Sequence, residues 1–129
     1  MGNKLNIFND DRGGYLIPFE FIDLPFLPKR IFTVTDVPKD GLRGEHAHYN
    51  TQQILICIKG EIMVYLDHGY KNEEILLRKG EHVFIDKMVW DSQRFLTGDD
   101  FMVVISSTHY DINDYILTKK EFYKKINKK

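Results

Sequence analysis

Cysteine occurs once in this 129-residue chain, at Cys57. A single thiol cannot close an intrachain disulfide, so the stapled scaffolds of small secreted proteins are excluded. Lying inside Ile54-Leu55-Ile56-Cys57-Ile58, it reads as a small buried hydrophobe and not as a nucleophile. Charge of one sign is lacking as well: 18 Lys and Arg stand against 19 Asp and Glu, for a net charge of -1. This balance removes the basic footprint of a nucleic-acid binder. No apolar run is long enough to span a bilayer. The opening MGNKLNIFNDDRGG has neither the apolar core nor the small-residue cleavage pattern of a secretion signal, and Asn6 breaks the myristoylation pattern. A soluble cytoplasmic protein without nucleic-acid or membrane partners is expected. Helical periodicity is nearly absent before residue 118, and there is no internal repeat and no low-complexity linker.

What remains is a chain that is 43% apolar, enough for one domain over residues 1–129 with a sizeable core. Its apolar residues fall in short segments separated by turn chemistry at the spacing of a β-sandwich or barrel. Ile31 to Val37 is β-branched and aromatic enough for a strand, and Pro38-Lys39-Asp40-Gly41 supplies a turn after it. Gln53 to Lys59 and Glu61 to Leu66, separated by Gly60, read as a hairpin. Glu73 to Leu77, Val83 to Ile85 and Phe101 to Ser106 continue the pattern, whereas Pro18 marks an edge or a break in YLIPFEF. Only the end invites a helix, with Thr118 and Glu121 in capping-box spacing and Phe122 and Ile126 four residues apart. The six lysines between Lys119 and Lys129 read as a solvated, fraying end.

The segment Gly41 to Gly60 carries the chemistry. If His46 and His48 lie on one strand, the two-residue period sends both imidazoles to one face, within approach of Arg43. The spacing His46-Ala47-His48, four residues, Gln53, six residues, Gly60 resembles the first motif of the cupin superfamily. Metal-binding cupins carry glutamate at the position of Gln53 and a further histidine about where Trp90 stands, and His82 comes too early to replace it. Glu45, Asp91 and His109 are the other side chains that could in principle complete a site, but none occupies a motif position. No metal and no cofactor are therefore expected.

A narrower resemblance combines RGEHAH, Gln53, VWDSQRF and VVISSTHYDINDYI, in this order over residues 30 to about 122. Together these blocks resemble the sugar 3,4-ketoisomerases of nucleotide-sugar metabolism. The resemblance implies an all-β cupin fold, a double-stranded β-helix or jelly-roll barrel with a short C-terminal helix. It implies isomerisation of dTDP-4-keto-6-deoxy-D-glucose, and a metal-independent homodimer with shared N-terminal strands. The first 25 residues are the least family-like.

The ketone at C4 acidifies the proton on C3, so a base can form an enediol or enediolate that is reprotonated at C4. Histidine suits both steps because its charge changes near working pH. His48 is assigned as principal base and His46 as acid or shuttle, with the order open. Arg43 is the candidate donor to the developing oxyanion, with a backbone-anchoring or diphosphate role as the alternative. Arg30, Arg43 and Arg94 are the candidate diphosphate contacts. Gln53, Trp90, Asp91, Ser92 and Tyr110 complete the expected substrate contacts, although Trp90 could equally be core and Tyr110 and Tyr115 packing residues. A non-catalytic sugar-binding cupin and a nucleotide-sugar epimerase remain as alternative readings.

Overall fold

In the computed structural model, which describes residues 2–127, the alternating segments become two antiparallel sheets packed face to face. The strands are β1 (Asn3–Lys4), β2 (Arg30–Thr35), β3 (Gly41–His48), β4 (Gln53–Lys59) and β5 (Ile62–Asp67). They continue with β6 (Asn72–Leu77), β7 (Glu81–Ile85), β8 (Trp90–Phe95), β9 (Phe101–Ser106) and β10 (Tyr115–Ile116), before helix α1 (Lys119–Asn127). One sheet has the order β1-β7-β4-β9-β2 and the other β10-β3-β8-β5-β6. This is the expected all-β jelly roll with one short C-terminal helix.

The period of two divides the apolar residues among three clusters. Leu55 and Cys57 of β4, Val83 and Ile85 of β7, Val64 and Leu66 of β5 and Phe95 of β8 fill the space between the sheets. Residues one step out of phase, Ile54, Ile56 and Ile105, face the other way and are covered by Leu5, Phe19, Leu24 and Phe26 from the N-terminal segment. On the second sheet Ala47, Trp90 and Ile116 face outward under α1, whose Phe122 is fully buried. The Thr118 hydroxyl accepts the Glu121 amide at 3.1 Å, which caps the first turn of α1 as the sequence predicts. Lys128 and Lys129 lie outside the described residues.

The expected hairpin between β4 and β5 does not form. β4 pairs with β7 and β9, whereas β5 pairs with β6 and β8, so the chain crosses from one sheet to the other at Gly60. Gly60 has φ +85, and a Cβ there would collide with the carboxylate of Asp100. That carboxylate accepts the Glu61 amide at 2.8 Å and the amides of Thr97 and Gly98, fixing the crossover. Two adjacent apolar runs look alike whether they pair with each other or face each other across a sandwich.

Candidate active site

β3 carries both histidines inward, and it does so with a bulge. Its pairing with β8 runs Arg43 to Gln93, Gly44 to Ser92 and then His46 to Asp91, so that Gly44 and Glu45 together occupy one step. Both have positive φ, +83 and +64. Residues three apart on a regular strand face opposite sides; the extra residue cancels one step. Arg43 therefore reaches the cavity that His46 lines.

The two imidazoles pack edge to face with centroids 4.8 Å apart. Tyr115 of β10 lies against both, at 4.9 Å from His46 and 4.5 Å from His48. The cavity in front of them measures about 150 Å³ and is lined by Arg43, His46, Gln53, Asp91, Gln93 and Tyr115 among others, with Phe32, Val34 and Leu55 supplying apolar wall. Behind His48, the Asp114 carboxylate accepts hydrogen bonds from the Asn50 amide at 2.9 Å and from the Thr51 hydroxyl, which holds the turn after β3 in place.

Burial sets the charge state. Desolvation holds His48 down at about 4, with the neighbouring His46 adding to the effect and Asp114 opposing it. Desolvation also lowers His46, against a hydrogen bond to the Gly44 backbone. Both rings are neutral at pH 7. Asp91 is the opposite case: burial pushes its carboxyl up to about 7, against the hydrogen bond from Gln93.

Not every expected contact joins this site. Trp90, Ser92 and Arg94 alternate with Asp91 and Gln93 along β8 and point to the outer face. Trp90 packs on Phe122 with centroids 5.9 Å apart, and Arg94 donates to the Asp40 carbonyl at 2.7 Å. Ser92 lines a separate outer groove with Glu45 and Trp90. The period of two within WDSQR already separates these residues from Asp91. Arg30 does point inward, beside His48 and Thr51 in a small recess. Its guanidinium lies over Phe32 at 4.7 Å and Tyr110 at 5.6 Å. Gln93 and Tyr115 are the site residues that motif reasoning passed over; alternation on β8 would have found the first, and the second depends on long-range pairing of β10 with β3.

His46, His48 and Asp91 place one ligand-type atom each within 4.8 Å of one another, the set among the described residues that comes nearest to a metal site. It does not reproduce the cupin ligand set. The motif carboxylate is the neutral amide of Gln53, Trp90 faces the other way, and one oxygen of Asp91 is taken by Gln93 at 2.5 Å.

Comparison with known proteins agrees with this architecture. The FdtA family, described as WxcM-like, C-terminal, matches residues 2–127. A TDP-4-oxo-6-deoxy-alpha-D-glucose-3,4-oxoisomerase from Aneurinibacillus thermoaerophilus is 33% identical over 132 residues, covering 99% of this chain and 95% of the relative. The structure of a 3,4-ketoisomerase from Helicobacter canadensis is 32% identical, with a TM-score of 0.87 over 96% of this chain and 94% of the other. A histidine-to-asparagine variant of the 3,4-ketoisomerase from Thermoanaerobacterium thermosaccharolyticum, in complex with TDP-4-keto-6-deoxyglucose, is 30% identical with a TM-score of 0.89 over 98% and 93%. The chain belongs to the FdtA family of WxcM-like proteins and is an isomerase.

Proposed function

We propose that this protein is a nucleotide-sugar 3,4-ketoisomerase that converts dTDP-4-keto-6-deoxy-D-glucose to a dTDP-3-keto-6-deoxyhexose. The observation that carries the reading is the pair of inward, neutral imidazoles in edge-to-face contact, His46 on the cavity wall and His48 in the adjoining recess with Arg30. A ketone shift between adjacent carbons moves two protons and no net electrons, so a set of proton-handling side chains suffices. His48 is the principal base, and His46 handles the second proton position with it. Gln53 offers a neutral hydrogen bond to a sugar hydroxyl, and Arg30, Arg43 and Tyr110 serve the diphosphate and nucleoside end. A cavity of about 150 Å³ is below the usual ligand-pocket range of roughly 300–1,000 Å³, so it takes the sugar while the nucleotide lies across its mouth.

The enzyme works without metal, as one domain in the cytoplasm. It acts as a homodimer whose N-terminal segments are shared; in the single chain Phe21, Ile22, Leu27 and Ile31 are left exposed, which supports such cover from a second copy. Incubation with dTDP-4-keto-6-deoxyglucose in deuterated water tests the reaction. Deuterium at C4 with a new ketone at C3 is expected. Exchange without ketone movement would make the protein an epimerase, and binding with no exchange would make it a sugar-binding cupin.

A further inference from the structure

Two neutral histidines leave the proposed reaction one component short. Forming an enediol from a ketone needs a base at C3 and a proton donor at O4. A neutral imidazole is a poor proton donor, because giving up its N–H would leave an imidazolate, so neither ring supplies that proton. His48, neutral, is the base. The missing donor has a candidate opposite His46, where Asp91 of β8 is 1% exposed. Oδ1 of Asp91 accepts the Gln93 amide at 2.5 Å, while Oδ2 has no hydrogen-bond partner among the described residues. No cation pairs with the carboxyl among the described residues. An ionised carboxylate in that position is a buried unpaired charge, and protonation removes the cost. Because the three groups lie within 4.8 Å of one another, a point exists no more than about 2.8 Å from all three, the length of a hydrogen bond to oxygen.

We propose that Asp91 is the catalytic acid of the isomerisation, working as a protonated carboxyl that donates to the substrate's carbonyl oxygen where Asp91 converges with His46 and His48. The assignment rests on the ketoisomerase reading. In the first half, the C3–H bond breaks, its proton passes to His48 and its electron pair becomes the C3=C4 bond. The C4=O π pair takes the Asp91 proton to form O4–H. The intermediate is a neutral enediol facing an Asp91 carboxylate and a His48 imidazolium, whose charges compensate each other inside the protein. In the second half, O3 gives its proton to the free nitrogen of His46, from which Asp91 recovers it, and the O3–H pair becomes the C3=O π bond. The C3=C4 pair takes a proton at C4 from His48, whose imidazolium proton exchanges with solvent during the lifetime of the enediol. Every group returns to its starting state, and no oxidant or metal enters.

Replacement of Asp91 by Asn keeps the shape and a hydrogen-bond donor but cannot pass a proton. Asp91→Asn is expected to lower kcat by roughly 10²–10⁴ with KM changed less than about threefold. Wild-type kcat should fall as pH rises above about 7, and the residual activity of the variant should lack that fall. The ionisable groups facing the same interior are His46, His48, Arg43, Arg30 and Tyr115, and the histidines are already neutral there. A folded variant with kcat within threefold of wild type would overturn the assignment, as would an equal pH profile in both proteins. Should the variant not fold, the wild type decides: in protein labelled with ¹³C at the aspartate carboxyls, one resonance should titrate near pH 7 without substrate, and its absence refutes the protonated acid. A wild type that binds the nucleotide sugar but never moves the ketone would sink the reaction assignment instead, while the carboxyl titration still judges Asp91.

Discussion

If Asp91 is held protonated by burial, its cost must appear in stability as well as in catalysis. The unfolded carboxyl titrates at 3.8 and the folded one at about 7. The sign follows from proton counts: between these values the native state holds the proton that the unfolded chain has released, so stability falls as pH rises through this window and levels off above pH 7. Linkage gives a penalty of about 2 kcal/mol at pH 5 and about 4 kcal/mol at pH 8. Asn carries no such term. The stability of Asp91→Asn relative to wild type should therefore improve by about 2–3 kcal/mol between pH 5 and pH 8, on the order of 10 °C in midpoint for a chain of this size. His46, His48 and His82 act in the opposite direction, since each is lowered by burial and costs stability as pH falls below 6.5. They are present in both proteins and largely cancel in the difference. Thermal unfolding of the two proteins at four pH values and equal concentration reads this difference directly. Parallel stability curves would show that the carboxyl ionises normally and that burial does not hold it protonated.

Three further outcomes follow from the same geometry. His48→Asn should fold normally and lose roughly 10²–10⁴ in kcat together with exchange of the C3 proton, whereas His46→Asn should retain some exchange; near-wild-type rates in both would leave the pair structural. Activity should survive exhaustive chelation, because the set of two histidines and one carboxyl lacks the motif carboxylate; loss of turnover restored by one transition metal would reverse that conclusion. Phe122→Ala should destabilise the protein by about 3–5 kcal/mol, since its ring is fully buried against Trp90 and anchors α1; a midpoint shift of only a degree or two would show that the helix is not held by this contact.

How far the sequence reached depends on the range of the interaction that decides each feature. Strand positions, the inward histidine pair and the cap of α1 are written in local periods and in the side chain of Thr118, and they are where the pattern puts them. The partner of β4 is decided by apolar faces meeting across the sandwich, which no local pattern encodes, so the hairpin reading failed. WDSQR fails for another reason. Treating it as one block hid the alternation that sends Trp90 and Arg94 outward and Asp91 and Gln93 inward. Glu45 is the least legible residue, because glutamate gives no hint of the left-handed conformation it adopts at φ +64.

That conformation decides what Arg43 can do. Without the bulge, the spacing of three residues between Arg43 and His46 would place the guanidinium on the outer sheet face; with it, Arg43 reaches the cavity wall, but as an exposed residue at the mouth. A donor to the enediolate gains its strength from exclusion of water, which an exposed guanidinium does not have. A diphosphate at the mouth is bound equally in ground and transition states, so its loss appears in KM. Arg43→Gln should raise KM about 10- to 100-fold, the scale of losing one charge-assisted contact of about 1.5–3 kcal/mol, with kcat changed less than threefold. The effect should shrink at high salt, because the contact is exposed. Steady-state kinetics at two ionic strengths separates the roles: a fall in kcat at unchanged KM would return Arg43 to the enediolate and leave the diphosphate to Arg30.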